Sequence, residues 1–316
     1  MEASVPPHLD NERLDQVAAE LFGQYSRSRL QKWIKGGELT VDGQVLRTRD
    51  KVSEGQRLVL CAEPDMQETD SVAQPMPLDI VFEDDSLLVL NKPAGLVVHP
   101  AAGHSDNTLL NGLLHHCPQL SGLPRAGIVH RLDKDTTGLM VVAKTLAAHH
   151  SLVAQLQERS VSRQYYALVQ GVMTAGGTVD APIGRHPSNR QKQAVTEFGG
   201  KEAVTHYRVV SRFRAHTLVR CQLETGRTHQ IRVHMAHIRF PLLGDRLYGG
   251  KPKLPKAASQ ALIEGLQQFP RQALHAFKLG LWHPEDDEYC EWEIAMAADM
   301  QALVALLKDD LREHTL

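Results

Sequence analysis

Gly127-Ile-Val-His-Arg-Leu-Asp-Lys-Asp-Thr-Thr-Gly-Leu-Met-Val-Val-Ala-Lys144 joins a short apolar pair to a run of five apolar residues through a dense polar loop. The apolar run, residues 139–143, is so short and so apolar that it is typical of a strand buried on both faces. Loops that a rigid sheet positions often carry catalytic residues. In this loop Asp133 lies between two cations, Arg131 and Lys134, and neighbouring positive charge favours its ionised form. An ionised carboxylate can act as a nucleophile or as a base.

The residue types in this loop leave two interpretations equally open. A solvated loop in which Asp133 or Asp135 caps a turn would have the same composition. The order of the residues is more specific, because His130-Arg-Leu-Asp133 followed by Thr136-Thr-Gly138 resembles the signature of the large-subunit ribosomal RNA pseudouridine synthase family. The resemblance implies that Asp133 is the catalytic aspartate, and Arg131 beside it is a candidate RNA contact.

The composition is that of an ordinary globular protein. The 316 residues are 42% hydrophobic and 23% charged, enough for one large domain and a small one. No apolar run approaches the length of a transmembrane helix and the N-terminus lacks the features of a signal peptide, so we expect no membrane association and a cytoplasmic location. The cysteines form no Cys-x-x-Cys pair and are predicted to be reduced thiols: Cys61, Cys117, Cys221 and Cys290.

Charge is distributed unevenly along the chain. Residues 285–316 hold ten of the 37 acidic residues but only two of the 35 basic ones, which leaves 33 basic against 27 acidic in residues 1–284. An acidic end on an otherwise basic body is compatible with a face that binds a polyanion.

Residues 11–62 are predicted to form a small domain of their own. Apolar residues at helical spacing indicate a first helix, a second should run through Ile34, and Asp42-Gly43 indicates a hairpin at residues 39–46. The second helix carries a basic face that solvation alone would also explain, formed by Arg27, Arg29, Lys32 and Lys35. Arg13-Leu-Asp15, Ser26-Arg-Ser28 and Val41-x-Gly43 together resemble the S4 RNA-binding domain. That resemblance implies that the basic helix contacts phosphates along an RNA backbone.

A linker and a larger domain are predicted to follow. Residues 63–77 contain four acidic residues and three prolines without a lysine or arginine, a composition that cannot bury a core. The large domain covers residues 78–314, with strands near 162–169 and 273–281, a helix at 147–159 and a terminal helix from Asp299. Its exposed loop 184–192 carries cations that either solvation or RNA contact explains: Arg185, Arg190 and Lys192.

Three histidines lie close together in residues 226–237, and they make a metal site conceivable. The zincin pattern is missing and no cysteine is nearby, so we expect no metal at His229, His234 or His237. No phosphate-binding glycine loop is present either, so no nucleotide cofactor is expected. Thr228 is a candidate N-cap for the helix predicted here.

The same segment offers a basic partner for Asp133. A planar guanidinium matches a carboxylate through two hydrogen bonds. The family resemblance implies that Arg232 of His229-Gln-Ile-Arg232 is that partner, and that Tyr165 of Arg163-Gln-Tyr-Tyr-Ala167 lies across the target base. We therefore expect Arg232 and Asp133 to form a largely shielded ion pair in a cleft, with Tyr165 on the same wall.

The resemblance extends over nearly the whole chain. It implies an α+β architecture with a mixed, mainly antiparallel central sheet flanked by helices, plus the small S4-like α/β domain. It also implies a pseudouridine synthase that isomerises uridines in a loop of 23S ribosomal RNA, with Asp133 initiating at the ribose, Tyr165 stacking on the base and Arg232 orienting Asp133. The expected partner is 23S ribosomal RNA within a large-subunit assembly particle, and the expected state is a monomer without cofactor.

Two alternatives remain open at this point. One is a sister enzyme that acts on transfer RNA or on another ribosomal site. The other is a non-catalytic RNA-binding factor of ribosome assembly, although such a protein would not need Asp133, Tyr165 and Arg232 together.

Overall fold

A computed structural model describes residues 1–23, 25, 27–61, 72–100, 106–189 and 191–315, and at residues 27–29 the backbone only. These residues belong to two compact units, Met1–Gln67 and Glu68–Leu316. Most of the linker predicted at residues 63–77 lies outside the described residues, as does Arg190. Within the described part of the chain, no helix is both long and apolar enough to span a bilayer.

The first unit is a small α/β fold. Its elements are β1 (Glu2–Ser4), β2 (Glu12–Arg13), α1 (Leu14–Leu21), α2 (Arg27–Gly36), β3 (Leu39–Val41), β4 (Lys51–Val52) and β5 (Arg57–Leu60). β5 lies between β1 and β3 in an antiparallel sheet, and β2 pairs with β4. Apolar residues at helical spacing on α1 and α2 are completely buried in a shared core: Leu14, Val17, Leu30 and Ile34.

The hairpin predicted at residues 39–46 forms only in part. Asp42 and Gly43 have φ of 49° and 77°, as a tight two-residue turn of this kind requires. A single bridge, between Val41 and Gln44, follows the turn, and β3 pairs with β5 instead. The second strand was wrongly predicted, because Leu46 packs against the core of the unit and does not continue along the sheet edge.

The second unit holds the remaining elements. They are β6 (Ile80–Glu83), β7 (Leu87–Lys92), α3 (Leu109–His116), β8 (Thr137–Ala143), α4 (Leu146–Gln157), β9 (Ser162–Gln170), β10 (Gly177–Asp180), β11 (Ile183–Arg185), β12 (Gln193–Val195), β13 (Val204–Arg212), β14 (His216–Leu223), α5 (Gln230–His237), α6 (Gln260–Gln268), β15 (Leu274–Trp282), β16 (Tyr289–Glu293) and α7 (Ala298–Glu313). The strands and helices predicted in this unit are present, with ends shifted by one or two residues.

One large sheet runs through the second unit. Its order is β10-β13-β14-β9-β15-β8-β7-β6, and β16 pairs with the outer half of β15. All neighbouring strands are antiparallel except β15 and β8, which are parallel. The predicted mixed, mainly antiparallel sheet with flanking helices is confirmed.

β8 fixes the position of the polar loop that precedes it. All its seven residues are buried, as its apolar run predicted. Gly138 near its start has φ of +115°, and a Cβ there would lie 2.1 Å from the carbonyl oxygen of Ala276 on β15. Only glycine therefore allows β8 to pair beside β15 at this point. The loop of residues 130–136 is in consequence held at one end of the central strands.

Candidate active site

A cleft of about 1010 Å³ opens beside the loop that precedes β8. Its walls come from that loop, from β9, from the end of β14 and from the turn that leads into α5. Asp133, Tyr165 and Arg232, which are far apart in the sequence, all line it. The fold thus brings the three predicted catalytic residues to one place.

The backbone around Asp133 is fixed by hydrogen bonds on several sides. The Asp133 carbonyl accepts from the Thr136 amide at 3.0 Å, and the Thr136 hydroxyl accepts from the Gln272 side chain at 3.1 Å. The Arg271 guanidinium donates to the Asp135 carbonyl at 3.2 Å. These contacts tie the loop to the start of β15, so Asp133 projects from a rigid support.

Lys92, at the end of β7, is a further support that sequence reasoning missed. Its side chain is completely buried, and its ammonium donates to the carbonyls of Pro93, Leu96 and Lys134 at 2.8–2.9 Å. Burial lowers the pKa of Lys92 to about 7, although the charges of Asp135 and Asp133 oppose the shift. One ammonium therefore joins the turn after β7 to the loop that carries Asp133.

Arg232 binds two carboxylates at once, and this differs from the predicted geometry. Its Nη1 donates to Oδ2 of Asp133 at 2.9 Å, so the expected ion pair is present. Its bidentate contact, however, is with Asp245, from Nε at 2.7 Å and from Nη2 at 2.9 Å. The prediction that the fork of Arg232 holds both oxygens of Asp133 is wrong, because Asp245 occupies the fork and Asp133 is bound by Nη1 alone.

Asp245 is itself built into the backbone. Its side chain is fully buried, and Oδ1 also accepts from the amides of Leu247 and Tyr248 at 2.9 and 3.0 Å. Burial alone would lower the pKa of Arg232, but the hydrogen bonds and charges of Asp245 and Asp133 outweigh it and raise that pKa. Arg232 is therefore a permanent cation in a fixed orientation, with Asp133 at the more exposed end of the triad.

Tyr165 lies on the wall of the cleft as predicted, and Tyr166 points to the other face of the sheet. The ring of Tyr166 stacks on that of Phe277 with centroids 4.0 Å apart, whereas Tyr165 belongs to the core beneath the cleft. Tyr165 is only 5% exposed, and its hydroxyl makes no hydrogen bond to any described residue. Burial raises the pKa of Tyr165, so its side chain is a neutral phenol near neutral pH.

The turn before α5 places a histidine beside Asp133. His229 has a left-handed backbone with φ of 58° and stands at the N-cap position that Thr228 was predicted to take, without a side-chain cap. Its Nε2 is 3.8 Å from Oδ1 of Asp133, and its Nδ1 pairs with the Tyr248 hydroxyl at 2.9 Å. The backbone amide of Arg227 donates to the side-chain oxygen of Gln230, and this hydrogen bond stabilises the strained turn.

The basic hairpin of β11 and β12 contacts the rim of this site. The Gln193 amide donates to the Tyr248 hydroxyl at 2.8 Å, and Lys192 Nζ lies 5.9 Å from the centroid of the Tyr248 ring. Arg185 on the same hairpin is exposed, and Arg131 is exposed at the edge of the cleft. Arg190 lies outside the described residues.

The predicted RNA-contacting residues of the first unit lie on α2. Lys32 and Lys35 are exposed. For Arg27 and Arg29 the backbone is helical, and their side chains lie outside the described structure. Two of the four cations are therefore available to a ligand.

Positive charge dominates the cleft wall. Six arginines line it: Arg125, Arg131, Arg159, Arg163, Arg227 and Arg232. Two lining carboxylates, Asp133 and Glu224, oppose them. A cleft of this size and sign suits a polyanion that extends beyond a single small ligand.

The histidines considered for a metal do not converge. His234 is completely buried, with Nδ1 bonded to Thr205 and Nε2 to the Ala181 carbonyl, both at 2.9 Å. His229 faces the cleft instead. Within the described residues no three metal-ligating side chains form a cluster.

Comparisons with known proteins identify the family of this chain. A family model described as RNA pseudouridylate synthase matches residues 86–237, and the S4 domain model matches residues 12–58. A "Ribosomal large subunit pseudouridine synthase D" from Pseudomonas aeruginosa is 61% identical over 308 residues, 98% of this chain and 96% of that protein. The protein of the same name from Salmonella typhimurium is 52% identical over 313 residues, 99% of this chain and 95% of its own.

Solved structures support the same fold. Human RNA pseudouridylate synthase domain containing 4 superposes with a TM-score of 0.58 at 28% identity, covering 72% of this chain and 92% of its own. Human RNA pseudouridylate synthase domain containing 1 gives a TM-score of 0.52 at 26% identity, covering 74% and 97%.

Proposed function

The chain belongs to the RNA pseudouridylate synthase family, and on this premise we propose that it isomerises uridines to pseudouridine in a loop of 23S ribosomal RNA. The observation that carries the proposal is the contact between Arg232 and Asp133 in a cationic cleft beside Tyr165. The relatives' names support ribosomal RNA of the large subunit as the substrate. The protein would act in the cytoplasm, as a monomer, on an assembling large-subunit particle.

The reaction breaks the bond between N1 of the uracil ring and the ribose C1′ and joins C5 of the same ring to C1′, while C5 loses a proton and N1 gains one. Asp133 starts it, either by attacking C1′ or by removing the C2′ proton. Arg232, held by Asp245, orients the Asp133 carboxylate through a hydrogen bond of 2.9 Å. Tyr165 lies against the base as a neutral phenol, which favours stacking over a role as a base toward the C5 proton.

The target uridine must leave its stack to reach this buried group of residues. Extrusion costs a few kcal/mol, and least where the base is already unpaired. Unpaired loops of RNA are also where bases can be presented singly to a protein. A loop is therefore the favoured target.

The test is to map pseudouridine in all ribosomal and transfer RNAs of cells that lack this protein. We expect specific sites in 23S ribosomal RNA to lose the modification, and to regain it when the wild-type protein is supplied but not when Asp133→Asn is. Loss from transfer RNA or from the small subunit instead would favour a sister enzyme. A complete set of pseudouridines with impaired particle assembly would favour a non-catalytic factor.

A second prediction concerns the basic face of α2. If Arg27, Arg29, Lys32 and Lys35 contact phosphates, their change to Ala should weaken RNA binding and flatten its salt dependence. We expect the slope of log affinity against log salt to fall by about 0.7–0.9 per lost contact. The rate at saturating RNA should hardly change, because the reacting groups are in the second unit.

The measurement is a binding titration at several salt concentrations. Lys51→Ala is the matched control, since Lys51 is exposed on β4 of the same unit and does not belong to α2. A slope that is the same in the quadruple variant and in the control would mean that the helix face is merely solvated.

A further inference from the structure

Arg163 is a buried cation for which the proposed mechanism has no use. It lies on β9 two residues before Tyr165, on the same strand face, and it lines the cleft although it is only 6% exposed. Its Nη2 donates to the Glu224 carbonyl at 3.1 Å, and its buried Nε has no hydrogen-bond partner. Among the described residues, no carboxylate lies within salt-bridge distance of its guanidinium.

The carboxylates near Arg163 are engaged elsewhere. Glu224 uses its carboxylate for Arg159 at 3.1 Å and for His206 at 2.6 Å. Asp133 is held by Arg232 at 2.9 Å. The two carboxylates that line the cleft with Arg163 are thus already paired with other cations.

Two other buried arginines of this unit show the usual arrangement. Arg232 is bidentate to Asp245, and Arg271 is bidentate to Asp299 with both contacts at 2.7 Å. A buried charge without such a partner is costly. Burial accordingly lowers the pKa of Arg163. An uncompensated guanidinium at this place lowers the stability of the fold. Residues of binding sites often carry such a cost.

The surroundings leave room for the guanidinium and supply no anion. A Cβ on Gly226 would lie 2.7 Å from Nη1 of Arg163, so the glycine makes space for the fork. On another side is His130, whose Nε2 accepts from the Val141 amide at 3.1 Å. Burial, and then the charge of Arg163, lower the pKa of His130 to about 3, so this ring is neutral.

We propose that Arg163 is an anion subsite that binds a backbone phosphodiester of the RNA next to the uridine facing Tyr165. The inference rests on the proposed function and adds to it the residue that receives the phosphate. Arg163 and Tyr165 are two residues apart on one strand face, roughly 7 Å along the strand, a separation that a nucleotide's base and its phosphate can bridge. A guanidinium fork matches two phosphate oxygens, and Nη1 makes no hydrogen bond to a described residue while Nη2 makes one, to the Glu224 carbonyl.

The first arm of the test measures stability. Arg163→Met removes the charge and keeps the length, and it should melt at the same temperature as the wild type or higher. Replacing sodium chloride by sodium sulfate at equal ionic strength should raise the melting temperature of the wild type more than that of Arg163→Met, since sulfate offers the same oxygens as a phosphodiester. Equal increments in the two proteins would count against the subsite.

The second arm measures coupling to one phosphate. The substrate is an RNA loop containing a uridine that the wild type converts, with a neutral methylphosphonate on its 5′ or its 3′ side. One of these linkages should raise the wild-type KM by about ten- to a hundredfold, the range of a charge-assisted hydrogen bond. The same linkage should leave the KM of Arg163→Met unchanged. Arg159→Met is the control and should keep the full penalty, because Arg159 is already paired with Glu202 and Glu224.

The outcomes distinguish a failure of the anion subsite from a failure of the proposed function. An undiminished penalty in Arg163→Met, with wild-type turnover intact, overturns the subsite and leaves the enzyme assignment standing. A wild type that converts no uridine overturns the function, and the sulfate arm still decides whether Arg163 binds an anion. If Arg163→Met does not fold, the neutral Arg163→Gln serves instead and should lose the penalty, while a penalty equal to that of the wild type refutes the proposal.

Discussion

Asp133→Asn should fold, bind RNA as the wild type does, and form pseudouridine at least about 10⁴-fold more slowly, as when other enzymes lose the group that starts the chemistry. The substitution keeps size and hydrogen bonding but removes the anion. Arg232 keeps its bidentate contact with the buried Asp245, so the supporting structure should survive. The rate is measured in a single turnover as the release of tritium from an RNA loop whose uridines carry tritium at C5.

Two variants make this result secure. Asp133→Ala should be equally inactive and cannot revert to Asp by deamidation. Asp135→Asn is the matched control: it neutralises a carboxylate two residues away whose loop is held through its backbone carbonyl, and it should stay within about tenfold of the wild type. Measurable turnover by both Asp133 variants would show that another group begins the reaction.

The sequence predicts structure best where a residue's neighbours in the chain determine whether it is buried. The apolar run before Lys144 predicts β8 correctly, since a short strand buried on both faces needs apolar residues at every position. The approach of Arg232 to Asp133 was expected only from the family resemblance. No periodicity relates residues on a loop and on a helix that are so far apart in the chain.

The fork between Arg232 and Asp245 could not be predicted from residue patterns. Nothing in the sequence surroundings of Asp245 indicates a fully buried carboxylate. Lys92 presents the same difficulty, because its partners are carbonyl groups that every residue carries. The roles of Asp245 and Lys92 can be recognised only when the burial of their side chains and the direction in which these side chains point are known.

Arg159 and Arg163 show the limit most clearly. The two are four residues apart and contribute equally to any count of charge. One is partly exposed and paired with two glutamates, and the other is buried without a counterion. Sequence determines how many cations a cleft has, but the fold determines which of them remain available to a ligand.

Arg232→Gln should have the second large effect, because Arg232 compensates two carboxylates. Its loss leaves Asp245 buried without a counterion, and we expect a destabilisation of about 3–5 kcal/mol, the usual range when one partner of a buried pair is removed. The rate should fall as well. Without the guanidinium, the Asp133 carboxylate loses the hydrogen bond that fixes its orientation toward the ribose. Urea unfolding and single-turnover rates at saturating RNA measure the two effects.

Arg232→Lys distinguishes orientation from charge. A lysine has one point charge, so it cannot both hold Asp245 through two parallel bonds and reach Asp133. We therefore expect partial rescue of the unfolding free energy and little rescue of the maximal rate. Asp245→Asn is the complementary variant, since it keeps the contact to Asp133 and weakens only the support behind it. A role in stability alone would lower the unfolding free energy in these variants and leave the single-turnover rate of the folded protein at the wild-type value. That result would exclude Arg232 from the chemistry.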